Sequence, residues 1–443
     1  MKFKRKIYDK MLEWKKSSNG RRALMLKGAR RVGKSTIAEE FAKREYKTYI
    51  LIDFSYASKA VQELFDDISD LNFLFLHLQM LYKVQLYERQ SVIIFDEVQL
   101  APKARQAIKH LVADGRYDYI ETGSLIGIRK FTQNIVVPSE ETHLEMHPMD
   151  YEEFRWALGD TVSVPLLRQC FSNMQRIHDA TMRSMMRDYR LYVLIGGMPQ
   201  AVKEYIDTNN LARVDEMKRS ILTLYDTDLR KIDPTGRAAL IFDNLPAQLS
   251  HGSTRYHVSQ VIDNQRTENI LPILEDMRNS MMVNIAYHAD DPNVGMLLTR
   301  NLNRFKLYMN DTGLFVTAIF KDKQTTDNII YSKLLSDKLN VNQGYIFENA
   351  VAQTLRANGD GLFYYTFPSE TSRHNYEIDF LISRGNKLCP IEVKSSSTNK
   401  HASLDHFCTK YSQRIAKRYI ISNKPLHSDA DITYVPYCMA MCL

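Results

Sequence analysis

The feature that most constrains this chain is a glycine-rich loop at a strand-to-helix junction. Gly28-Ala-Arg-Arg-Val-Gly33-Lys34-Ser35 fits the spacing G-x-x-x-x-G-K-[ST] at every position. An apolar run, Ala23–Leu26, leads into it, and an amphipathic stretch from about Ser35 to Lys43 reads as a helix leaving it. Glycines there let successive backbone N–H groups curl around phosphates, and the helix N-terminus adds partial positive charge. Lys34 reaches the β- and γ-phosphates of a nucleoside triphosphate, and the Ser35 hydroxyl holds Mg²⁺. The expected ligands are therefore ATP and Mg²⁺. The expected binding residues are Gly28, Arg30, Arg31, Val32, Gly33, Lys34, Ser35 and Thr36.

The next segments supply the rest of such a site. Tyr49–Asp53, Ser91–Phe95 and Tyr117–Thr122 read as further strands, separated by helical stretches. Short apolar strands alternating with helices predict a parallel sheet covered on both faces. The third strand runs into Asp96-Glu97. Asp96 is expected to orient Mg²⁺ and its waters, and Glu97 to polarise the attacking water as general base. After the fourth strand comes Glu121-Thr122-Gly-Ser124, where Thr122 or Ser124 would position that water. An arginine acting from a neighbouring copy is not singled out: Arg129, Arg190 and Arg237 are all available.

At 443 residues the chain is too long for one ordinary core. With 44% hydrophobic and 25% charged residues it is globular rather than disordered. No apolar run is long enough to span a membrane, and the basic N-terminus lacks the apolar stretch of a secretory signal. The five cysteines are scattered without a CxxC pair, which fits a reduced, cytoplasmic compartment. The net charge of +7 is uneven: residues 1–47 hold 16 Lys/Arg against 5 Asp/Glu. An arm bearing Lys2, Lys4, Arg5, Lys6, Lys10, Lys15 and Lys16 is either a nucleic-acid contact or a solvated helix face.

Beyond a core over residues 1–150, residues 151–250 read as mostly helical, broken by the turn Gly196-Gly-Met-Pro199. In 251–322, two helices (258–264 and 268–279) precede strands at 283–287 and 307–310, the outline of a winged helix that many small α/β modules share. Residues 323–443 form another α/β unit, with a helix over 344–358 and strands at 363–366, 376–382 and 388–393. Here Asp379 and Glu392 lie on neighbouring strands joined by the turn 384–387, and Lys394 shares a face with Glu392. Two carboxylates so placed would hold Mg²⁺ with Glu348 as an outer ligand, and Lys394 would position a water. His143 and His147 lie four apart but belong to no H-E-x-x-H motif and are followed by Pro148, so a strand is the better reading than a zinc helix.

Taken in order, these segments resemble the prokaryotic AAA-like ATPases that carry a DUF4143 C-terminal region. The resemblance rests on Gly28–Thr36, Ile94–Gln99, Thr122–Ser124, Pro148 with Glu153, Gly196–Pro199, Lys306–Leu314, and the pair Glu377-Ile-Asp379 and Glu392-Val-Lys394. It implies an α/β chain: a P-loop ASCE/AAA-like parallel sheet, a helical lid, a winged-helix-like segment and a C-terminal PD-(D/E)xK, restriction-endonuclease-like domain. The proline usual before the first acid of the nuclease motif is absent, since Glu377-Ile precedes Asp379. The implied activity is an ATPase acting as a homo-oligomer on DNA or DNA structures, with Asp379, Glu392 and Lys394 as a metal-dependent nuclease centre. The alternative is an ATP-driven conformational switch whose C-terminal domain binds a protein or nucleic acid without cutting.

Overall fold

Strands with no polar face must be covered on both sides, and the first unit is built on that requirement. The computed structural model describes residues 2–123, 139–262, 267–322, 328–336, 344–369, 375–395 and 401–443. It divides into two units, Met1–His147 and Pro148–Leu443. In the first, β1 (Ala23–Lys27), β2 (Thr48–Asp53), β3 (Ser91–Asp96), β4 (Asp118–Gly123) and β5 (Glu141–Glu145) make one parallel sheet in the order β2-β3-β4-β1-β5. Every residue of β3 and β4 is buried. The strands that lead into the glycine loop and into Asp96 thus lie one strand apart, with their C-terminal ends on one edge. In open parallel sheets that edge is where ligands bind.

Helices complete the layers. In α1 (Ile7–Ser18) the buried residues Ile7, Met11, Trp14 and Ser18 follow helical spacing. Tyr8 and Trp14 pack on Phe41 of α2 (Lys34–Glu45). The short α3 (Lys59–Glu63) and α4 (Leu71–Tyr82) follow β2, and α5 (Pro102–Asp114) starts on a proline, whose missing N–H costs nothing there. Several cations of the basic arm are engaged inside this unit. Lys2 pairs with Glu40, Lys15 donates to the Glu45 carbonyl, and Arg5 donates to the carbonyls of Val32 (3.0 Å) and His147 (2.6 Å).

The second unit opens with seven helices between Tyr151 and Ser250. Its sheet has eight strands in the order β12-β13-β11-β10-β9-β8-β6-β7. These are β6 (Val283–Ala289), β7 (Arg300–Met309), β8 (Phe363–Pro368), β9 (Asn375–Arg384), β10 (Lys387–Val393), β11 (Arg418–Ser422), β12 (His427–Asp429) and β13 (Ile432–Pro436). Helix Gly344–Ala357, the antiparallel meander β8-β9-β10, helix Ala402–Lys410 and then β11 parallel to β10 give the α-β-β-β-α-β succession of the restriction-endonuclease-like fold.

Two features differ from the sequence reading. Of the helix expected over 258–264, only the single 3₁₀ turn Val258–Gln260 is found, and residues 263–266 lie outside the described residues. The boundary drawn at 322/323 does not separate two sheets: Tyr287 and His288 of β6 pair in parallel with Phe363 and Tyr364 of β8. An open edge of β6 would leave backbone N–H and C=O groups without partners, and β8 supplies them.

Candidate nucleotide site and C-terminal carboxylate cluster

The loop after β1 has the backbone its sequence demands. Gly33 sits at φ +99°, a conformation L side chains rarely adopt. A Cβ at Gly28 would lie 2.5 Å from the Met146 carbonyl oxygen, so only glycine lets β1 pass that close to the end of β5. Val32 is fully buried, and its carbonyl is the acceptor of the Arg5 hydrogen bond. Arg31 and Thr36 are exposed and Arg30 is half-buried.

Ser35, Asp96 and Thr122 are brought together, and Lys34 lies over the loop. Lys34 is buried, and its Nζ donates to the carbonyls of Gly28 (3.0 Å) and Ala29 (3.1 Å), folding over the loop. Ser35 Oγ donates to Asp96 Oδ1 at 2.8 Å across 61 residues of sequence. Thr122 Oγ1 donates to the same oxygen. Glu97 follows in a left-handed conformation (φ +51°), with its carboxylate gripped by the Gln99 side-chain amide. Ser35 and Asp96 offer the hydroxyl and carboxylate oxygens that suit Mg²⁺, which keeps most of its other positions for water and phosphate. Ser124 and Arg129 lie outside the described residues; Thr122 is the member of that segment found at the site.

Arg5 and Gln99 were not singled out from sequence. In the sequence Arg5 registers only as charge, and Gln99 only as part of the segment Ile94–Gln99. Behind Thr122 the next side chain, Glu121, turns to the opposite face and meets the buried Arg105, which also holds Glu141 at 3.0 Å. Burial pushes the Glu121 carboxyl well up, against the pull of Arg105. His143 Nε2 lies 2.9 Å from Glu141, and His147 lies 3.6 Å from Glu145.

In the second unit the carboxylates of the nuclease-like motif fall into two groups. Glu348 Oε1 accepts from Lys306 Nζ (3.0 Å) and from Tyr308 OH (2.5 Å), and Lys306 also pairs with Glu377. Asp379 belongs with these: its Oδ2 accepts from the Val393 N–H at 2.7 Å, and burial, then Glu348, raise its pKa well above the usual carboxylate range. Glu392 turns instead to Lys394, 2.6 Å away, with His401 and Asp405 beyond. Among the described residues, no three His, Cys, Asp or Glu side chains are arranged to hold a metal ion. Of the expected Mg²⁺ set, Glu348 and Asp379 lie with Lys306, and Glu392 lies with Lys394. Lys306 and Glu377 are cluster members that the sequence reading names only within motif segments, without a role at the site.

Family models match three stretches of the chain. Residues 20–155 match the AAA domain family and residues 343–437 match DUF4143, a domain of unknown function. The chain joins an AAA domain to DUF4143. Its first unit is an AAA-type P-loop ATPase domain, as the resemblance implied. Residues 186–325, between the two, match DUF8612, another domain of unknown function. Solved structures similar to this AAA–DUF4143 chain include a Walker-type ATPase of Pyrococcus abyssi, at 17% identity over 72% of this chain and 96% of that one, with a TM-score of 0.42. A Vibrio cholerae protein matches at 11% identity over 95% of each chain, TM-score 0.18. Cdc6p from Pyrobaculum aerophilum matches at 11% identity over 75% of this chain and 94% of that one, TM-score 0.23. No curated protein sequence matches the chain. Among the described residues no helix is long and apolar enough to cross a membrane.

Proposed function

We propose that this chain hydrolyses ATP with Mg²⁺ in order to act on DNA or a DNA structure, working as a homo-oligomer. The observation that carries the ATPase part is the meeting of Ser35 and Thr122 on one oxygen of Asp96, beside Lys34 and Glu97. Ser35 and Asp96 hold the metal, Lys34 neutralises the β- and γ-phosphates, and Glu97, oriented by Gln99, takes the proton of the attacking water. What supports DNA as the target is the restriction-endonuclease-like fold of the second unit, which is fold-level support and no more.

The test is the ATPase rate with and without single-stranded, duplex and branched DNA, with wild type beside Glu97→Gln. Stimulation that Glu97→Gln abolishes supports the reading. A wild-type rate that no form of DNA changes refutes it.

One observation favours a second reading, that ATP sets a conformation and the C-terminal unit binds without cutting. Lys306 and Lys394 already engage Glu348, Glu377 and Glu392. Mg²⁺-dependent DNA cleavage that Asp379→Ala removes would decide for a nuclease instead.

A further inference from the structure

We propose that Lys306 is the resident cation of the C-terminal carboxylate cluster, taking the electrostatic place that a divalent metal would have in a nuclease of this fold. The inference stands apart from the ATPase reading and bears on what the second unit can do.

Lys306 comes from β7, within the DUF8612 match and outside the DUF4143 match whose acids it enters. It is buried, with Nζ 3.0 Å from Glu348 Oε1 and in an ion pair with Glu377. Tyr308, two residues on and therefore on the same face of β7, donates to the same oxygen of Glu348. The strand is pinned to helix Gly344–Ala357 in a fixed register: Asn349 Oδ1 accepts from Met309 N (2.8 Å), and Asn349 Nδ2 donates to Met309 O (3.2 Å). The ammonium is therefore delivered to one place and held there.

The remaining acids are engaged through one oxygen each, and Glu392 Oε2 is buried without a hydrogen-bond partner. Asp379 accepts a backbone N–H, and Glu392 is turned toward Lys394. Mg²⁺ sheds its waters reluctantly and requires near-octahedral oxygen geometry. To enter, it would have to displace an ammonium buried between two carboxylates. The cluster therefore ties β7, β9 and helix Gly344–Ala357 together through charge, and it functions without metal.

The experiment is Mn²⁺ binding followed by electron paramagnetic resonance, on the nucleotide-free full chain in an Asp96→Asn background that silences the nucleotide site. The parent is expected to show no Mn²⁺ site that Asp379→Asn removes. Lys306→Met is expected to gain one site, lost again when Asp379→Asn is added, and Mn²⁺ should raise the melting temperature of Lys306→Met but not of the parent. A parent site abolished by Asp379→Asn or Glu392→Gln overturns the proposal. So does a folded Lys306→Met chain that gains no site. If Lys306→Met does not fold, the parent and Asp379→Asn comparison decides alone.

Discussion

Asp311 is a side chain whose removal should damage the second unit well beyond its size. It is fully buried. Its Oδ2 accepts from the Gly197 N–H at 2.6 Å, and its Oδ1 accepts from the Leu314 N–H at 2.9 Å, capping helix Thr312–Ile319. The two segments meet backbone to backbone. A Cβ at Gly196 would lie 2.2 Å from Asp311 Oδ1, and one at Gly313 would lie 2.3 Å from the Ile195 carbonyl oxygen. That is the physical reason for Gly196 and for Gly313, whereas Gly197 is required by the Met149 backbone, whose carbonyl oxygen a Cβ would meet at 2.0 Å. Asp311→Ala strands the buried N–H of Gly197, at about 1–3 kcal/mol. It also removes a helix cap, at about 0.5–2 kcal/mol. The expected loss is therefore about 1.5–5 kcal/mol. Asp311→Asn recovers one of the two bonds and sets an amide NH₂ against the other N–H, so it should fall between the two. The assay is urea unfolding read by tryptophan fluorescence. The chain has two tryptophans, Trp14 and Trp156, so a Trp14→Phe background leaves Trp156 as a reporter within the second unit. A loss below about 1 kcal/mol, or an Asn variant as stable as the parent, would refute the reasoning.

Three further outcomes are expected. Thr122→Val removes a hydroxyl that donates to Asp96, a bond to a charged group worth about 1.5–3 kcal/mol, so ATPase kcat should drop by tenfold or more while Thr122→Ser keeps it; an undiminished Val variant would exclude Thr122 from the site. Gly28→Ala places a methyl 2.5 Å from the Met146 carbonyl oxygen, so affinity for a fluorescent ATP analogue should weaken, whereas Gly115→Ala, with nothing within 4 Å, should leave it unchanged. Lys218 is buried, and desolvation lowers its pKa from 10.5 to about 8, with Asp215 and Asp311 opposing. Between those values the unfolded chain binds the extra proton, so this group's contribution to stability rises with pH there, by about 3 kcal/mol in total. Measured unfolding free energies at pH 7.5 and 10 should therefore differ between wild type and Lys218→Met in that sense, and a difference of opposite sign would contradict it.

What could be read from sequence was what is local. The glycine loop, β1, α2 and the Asp96-Glu97 strand end are each set by a few neighbouring residues, and all appear at the expected positions. What could not be read depends on distant partners. Asp311 bonds a residue 114 positions away. Lys306 falls in the expected 251–322 module, just ahead of the strand expected at 307–310, and nothing in 300–310 announces that its carboxylates begin at Glu348. The same strand was expected only from Leu307, yet it starts at Arg300. Its first five residues are not buried and lack the apolar signal, and pairing with β6 is what makes them a strand. In the basic arm, composition could not distinguish Arg5 on the Val32 carbonyl from a lysine facing solvent.

The two acidic sites differ in how their charge is met, and that difference separates their chemistry. At Asp96 the partners seen are hydroxyls, from Ser35 and Thr122. Hydroxyl donors orient a carboxylate without cancelling its charge, so the site's negative potential stays available to a cation arriving with a triphosphate. At Glu348, Glu377 and Glu392 the partners are ammonium groups, from Lys306 and Lys394. Lys306 and Glu392 are buried and their partners Glu348, Glu377 and Lys394 half-buried, so each pair has its counter-charge built in, and removing one member leaves the other short of it. By this rule the first site calls for a ligand to complete it, whereas the second holds segments of the unit together. Both begin as acids in motifs that a sequence pattern scores alike, at a strand end for Asp96 and on a helix and two strands for Glu348, Glu377 and Glu392; the cation that reaches the second from β7 is what sets them apart.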